Sequence, residues 1–170
     1  MDKIKKEDLI IKLGILFYFC SFLGYIYELI LCYLDTGEIF SHGILFGPWL
    51  PIYGTGACFI MLIYKYRKNP ALIFTLSFFI TGLLEYLCGV ILLKFFKIRL
   101  WDYTGYFLNI NGHVCFLSAF CFGVGGILLT YLIYPLIKKI YEKVNKNVLK
   151  IILSLITLIF LGDIIATILK

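Results

Sequence analysis

Five apolar runs organise this chain, at residues 10–34, 44–64, 71–93, 114–137 and 151–169. A helix rises about 1.5 Å per residue, so about 20 such residues cross the roughly 30 Å hydrocarbon core of a bilayer. Lipid offers no partner to a bare N–H or C=O, which leaves the helix as the form such a run takes. Of the 170 residues, 62% are hydrophobic and 15% charged, and the mean hydropathy is +0.97. An average soluble domain has about a quarter charged residues, so a water-soluble globule is excluded. The expectation is an all-α, polytopic helical membrane protein, one domain over 1–170 with about five transmembrane spans. The start, MDKIKKEDLIIKLG, has the charge of a signal peptide. The apolar stretch after it is too long and lacks a small-residue cleavage site, so it is expected to remain as the first span.

The second run differs from the rest. In GILFGPWLPIYGTGACFIMLIY, Gly47, Pro48, Pro51 and Gly54 forbid a regular helix over the first half, although the stretch is too apolar for an aqueous loop. A broken or partly re-entrant segment, carrying Tyr53 as well, is expected.

The net charge of +6 would point to nucleic acid in a soluble protein; here the lysines and arginines sit between apolar runs and orient them, so no nucleic-acid partner is expected. Lys3, Lys5, Lys6 and Lys12, then Lys65, Arg67 and Lys68, then Lys138, Lys139, Lys143, Lys146 and Lys150 place twelve on one side, against Lys94, Lys97, Arg99 and Lys170 on the other. Cytoplasmic connections carry the excess, which puts the N-terminus inside and the C-terminus outside. The outer connection KFFKIRLWDYTGYFLNING is rich in aromatics, and Trp101, Tyr103 and Tyr106 read as interface anchors.

Acids at membrane depth cost a few kcal/mol and usually face a cavity or a partner. Glu28, Glu85 and Asp163 lie at similar depth on spans running in the same direction, which would let them line one outward-facing polar pocket. Asp163 is nearer a helix end and can also snorkel to water. Cys20 and Gly24 share a face with Glu28, Gly82 and Gly89 share one with Glu85, and Cys115, Ser118 and Gly125 share one on the fourth span. GYIYE at 24–28 and GLLE at 82–85, each followed by a histidine beside glycine, form a faint parallel repeat. The pocket expected from these residues contains Glu28, Glu85, His42, Asp102, Asn109, Asn111 and His113. It would take a small solute, an ion or a proton.

Two His and two Glu match no metal-ligand spacing, so no metal is expected, and no cofactor either. The six cysteines lie mostly inside apolar runs without a CxxC and read as packing residues. GxxxxGK[ST], HExxH and GxSxG are missing, so the chain carries no P-loop and no recognised hydrolase motif, and an enzyme is the weaker reading.

The order GYIYE, SHGILFGPWLPIYGTGA, GLLEYLCG and LWDYTGYFLNINGHVCFLSAFCFGVGG resembles the ABC-transporter type IV, or CmpB-type, permease family over residues 24–135. The resemblance implies a small polytopic protein of the bacterial cytoplasmic membrane, a transport component working in the lipid bilayer. A cytoplasmic ATPase subunit and a homo-oligomer are the partners it leaves open, and the basic connection 138–150 either docks such a subunit or enforces topology. Where the family pattern has arginine, this chain has His42 and His113. If those arginines pair with the glutamates, the pocket here would change charge near neutral pH. A membrane enzyme acting on a lipid or prenyl substrate, and a non-catalytic scaffold or sensor, are the rival readings.

Overall fold

The computed structural model describes residues 2–38 and 43–169. Among these every regular element is a helix: α1 (Asp2–Thr36), α2 (Pro51–Leu62), α3 (Pro70–Ile91), α4 (Phe116–Leu128), α5 (Tyr134–Lys143) and α6 (Lys146–Ile168). Four continuous helical stretches are long and apolar enough to cross a membrane, Glu7–Leu34, Pro70–Phe96, Phe116–Lys143 and Lys146–Ile168. The chain is a multi-pass membrane protein. The second apolar run supplies only the 12-residue α2, preceded by bends over 44–48. At 1.5 Å per residue α2 reaches about 18 Å, short of a bilayer core.

Local chemistry sets the helix ends. Asn69 caps α3 by accepting from the Leu72 N–H at 3.1 Å, with Pro70 in the first turn where a missing N–H costs nothing. Pro135 has no N–H to continue the ladder, and the turn before it, Leu129–Ile133, is wound as a π-helix that joins α4 to α5. Gly37, at φ +76°, closes α1 by donating to Tyr33 O.

The chain packs as two units, Met1–Gly54 with Tyr134–Lys170, and Thr55–Ile133. In the first, α1 packs on α5 and α6. Ile11, Tyr141 and Leu149 form its core with Ile15, Val144 and Leu153. Further along, Tyr18 donates to Thr157 Oγ1 at 2.9 Å, and Phe160 takes Phe17, Tyr18 and Trp49 edge-on. In the second unit α3 and α4 form an antiparallel pair. The buried face of α3 is a four-spaced ridge, Ile73, Ser77, Thr81, Glu85 and Gly89. Two α4 glycines let the helices close: a Cβ on Gly126 would strike Ser77, and one on Gly123 would lie 2.7 Å from Phe74. Gly125, expected on this face, has nothing within 4 Å of its Cβ position; one residue is about 100° of helix rotation, and the contact falls on its neighbour.

Candidate functional site

In the second unit Glu85 is 4% exposed. Tyr103 Oη donates to Glu85 Oε1 at 2.9 Å, and Ser118 Oγ donates to Oε2 at 2.8 Å. Ser118 sits three residues into the first turn of α4, where its hydroxyl also accepts from the Cys115 N–H at 3.2 Å. The Cys115 thiol in turn accepts from the Ser118 N–H at 3.4 Å, closing a capping box with sulfur in place of the usual oxygen. The carboxylate of α3 is thereby tied to the N-terminus of α4, the end of a helix that favours negative charge.

The loop 97–115 delivers Tyr103 to this position. Trp101 Nε1 donates to His113 O at 2.8 Å, and the Tyr103 N–H donates to Gly112 O at 2.9 Å, so the two arms of the loop lie together. Arg99 pairs with Asp102 at 2.8 Å, and the guanidinium fills the space that a Gly112 side chain would need. With φ at +72°, Gly112 is glycine for two independent reasons. Asp102 Oδ1 also accepts from the Thr104 N–H at 2.8 Å. The Thr104 hydroxyl and N–H hold the Asp102 carboxyl below its usual range, helped by Arg99 and His113.

Of the expected pocket residues, Asp102, Asn109, Asn111 and His113 belong to this loop. Asn109 Oδ1 accepts from the Gly112 N–H at 3.2 Å, and Asn111 Nδ2 donates to Tyr86 Oη at 3.4 Å. The His113 ring lies on Gly89, with Nδ1 buried and without a hydrogen-bond partner among the described residues. His42 lies outside the described residues. Glu28 belongs to the other unit, where Tyr53 Oη donates to its Oε1 at 2.7 Å. Gly24, one turn earlier, gives the Tyr53 ring the room it needs.

Asp163 has a structural task. Its carboxylate accepts from the Phe46 N–H at 2.9 Å, the Gly47 N–H at 2.7 Å and Trp49 Nε1 at 2.7 Å. The Leu50 N–H donates to Ser21 O at 3.0 Å, Pro51 opens α2, and Gly54 packs against Phe17 and Ser21 of α1. The Phe46, Gly47 and Leu50 N–H groups of this non-helical stretch thus find acceptors within the protein, as membrane depth requires. A snorkelling Asp163 is not what the fold uses.

Trp101 and Tyr103, expected as interface anchors, turn inward because each finds a hydrogen-bond acceptor there; Tyr106 is exposed. The sequence reading missed Tyr103 and Ser118 as partners of Glu85, and Trp49 as a partner of Asp163. No signal in the pattern marks them, since cysteine is an unusual N-cap and an aromatic loop residue serves an interface equally well.

Residues 15–168 match the model of the family described as "Putative ABC-transporter type IV". The chain belongs to that family. No curated protein and no solved structure matches it.

Proposed function

We propose that this chain is the membrane-embedded permease component of a transporter, and that Glu85 is the centre of its solute, ion or proton site. The observation that carries the reading is a buried carboxylate held by two neutral hydroxyls, Tyr103 and Ser118. Two hydroxyl donors fix the carboxylate in one orientation at membrane depth, where an acid usually faces a cavity or a partner. Asp102, Asn109, Asn111 and His113 complete the polar end of this site, and Glu28 with Tyr53 repeats its chemistry in the other unit.

The site opens outward when the basic connections face the cytoplasm, with the N-terminus inside and the C-terminus outside a bacterial membrane. Crossing then requires 43–50 together with α2 to serve as the second span. Lys146 and Lys150 are paired with Asp8 and Glu7, and Lys138 with Glu142. That favours a topological role for the basic connection over an ATPase-docking one, and an ATPase subunit, if recruited, would meet Lys139 and Lys143.

The test is purification of the tagged chain from native membranes in mild detergent, with mass spectrometry of co-purifying proteins and bound small molecules, beside Glu85→Gln. A nucleotide-binding subunit retained by both forms, with a solute lost only from Glu85→Gln, is the expected result. A solitary chain with the same bound molecules in both forms would overturn the reading.

A further inference from the structure

One end of the first unit gathers most of the chain's positive charge. Residues 1–13 and 138–150 carry nine lysines and four acids, and the packing of Ile11, Tyr141 and Leu149 in one core brings the two segments together. Four of these lysines have partners inside the protein. Lys146 pairs with Asp8, Lys150 with Glu7 and Lys138 with Glu142, while Lys12 Nζ stands 4.5 Å from the centre of the Tyr141 ring. Lys139 and Lys143 are exposed and have no ion pair among the described residues. Four residues apart on α5, they stand one above the other on one face. Leu136 and Ile140, 48% and 41% exposed, share that face, because the four positions follow the i, i+3, i+4, i+7 pattern. Ile137 and Tyr141, turned away from it, are buried.

We propose that this face of α5 holds an anionic phospholipid, its phosphodiester at Lys139 and Lys143 and an acyl chain along Leu136 and Ile140. The site is separate from Glu85 and does not depend on what Glu85 binds. Lys143 ends a helical stretch, Phe116–Lys143, that is long and apolar enough to cross a membrane, so the two lysines fall at the level of the lipid headgroups. Phosphate is the anion at that level, and lysine meets it as a flexible point charge that needs no fixed geometry. Two ammonium groups without a carboxylate nearby are the complement of such a headgroup. The exposed pair Leu136 and Ile140 separates a lipid from a soluble anion or an acidic protein face, both of which would leave it uncovered.

The experiment uses the purified full chain in dodecyl maltoside and tritiated dioleoylphosphatidylglycerol, with unlabelled dioleoylphosphatidylcholine and glycerol 1-phosphate as competitors. The first has the same chains and no net charge; the second has the phosphate and no chains. Saturable binding that neither competitor displaces is the expected result. A lysine beside an anionic lipid surface is worth about a fivefold change in affinity, so Lys139→Gln and Lys143→Gln should each weaken binding about fivefold and the double variant about 25-fold. Lys139→Arg with Lys143→Arg should bind as the parent does. Both lysines are exposed and without an ion pair, so these variants should keep the parent's thermal midpoint. Lys138→Gln removes the same charge from the flank of α5 that carries Glu142, and should leave the affinity unchanged. Displacement by phosphatidylcholine or by glycerol 1-phosphate, no saturable binding, or an equal loss in Lys138→Gln would each overturn the proposal. So would a nucleotide-binding subunit lost from native membranes of the double variant with phosphatidylglycerol binding unchanged, which would give the two lysines to a protein partner.

Discussion

Tyr103 reaches from the loop 97–115 to Glu85, 18 residues earlier in the chain, and donates its phenolic hydrogen across 2.9 Å. The same pairing joins Tyr53 to Glu28. In each unit an acid on a long helix is held by a tyrosine that follows it in the chain. A hydrogen bond to a carboxylate is worth about 1.5–3 kcal/mol. Tyr103→Phe should therefore lower stability by about 1–3 kcal/mol, read as a fall in the thermal midpoint in detergent. Ser118→Ala should cost a similar amount, and the double variant less than the two together, because both act on one carboxylate. Strict additivity would show that the two hydroxyls do not share it.

Asp163 supports the irregular segment before α2 through three donors. Asp163→Leu leaves the Phe46 and Gly47 N–H groups and the Trp49 indole without their acceptor, at about 1–3 kcal/mol for each that stays buried. Amide exchange at 46 and 47 should accelerate by at least tenfold, while exchange within α3 stays unchanged. Slow exchange at both amides in Asp163→Leu would show that another acceptor holds them.

The α3–α4 contact depends on a glycine that meets a serine. A Cβ on Gly126 would overlap Ser77, and inserting a methyl into a packed contact costs about 1–3 kcal/mol or more. Gly126→Ala should lower the thermal midpoint, and Ser77→Gly in the same chain should restore much of it. Gly125→Ala, with nothing within 4 Å, should be neutral or stabilising by up to about 1 kcal/mol, since alanine has the better helix propensity. A Gly126→Ala chain as stable as the parent would refute the contact.

Acid should loosen the loop 97–115 at one point. The Asp102 carboxyl is held below its usual range, first by Thr104 and then by Arg99 and His113. A depressed folded-state value means that the contribution to stability is present above the unfolded value, near 3.8, and is lost as pH falls through the lower folded one. Trp101 fluorescence, recorded with Trp49→Phe, should show an acid step below about pH 4. With Asp102→Asn that acid step should disappear.

Orientation is open to direct labelling. Tyr106 is exposed in the loop 97–115. A Tyr106→Cys chain with its native cysteines replaced should react with a membrane-impermeant maleimide added to intact cells. Reaction only after lysis would invert the proposed topology.

The sequence alone determined the helical membrane class, the long apolar helices and the break in the second run at Gly47 and Pro48, although Pro51, Tyr53 and Gly54, expected in the break, lie in the regular helix α2. These are local consequences of a solvent that cannot satisfy the backbone, so they hold whatever the helices pack against. It also singled out Glu28 and Glu85, because charge at membrane depth stands out against apolar neighbours. Tertiary structure alone decided what each acid meets: Tyr103 and Ser118 for Glu85, Tyr53 for Glu28, and the 46–49 segment for Asp163. Hydrophobic periodicity could not supply this, because a helix that is apolar on every side carries no moment to fix its rotation. That is why Gly126 meets Ser77 and Gly125 does not. Rotation is set instead by where small residues let backbones approach and where a buried polar atom finds its partner, and both are facts about the neighbouring helix.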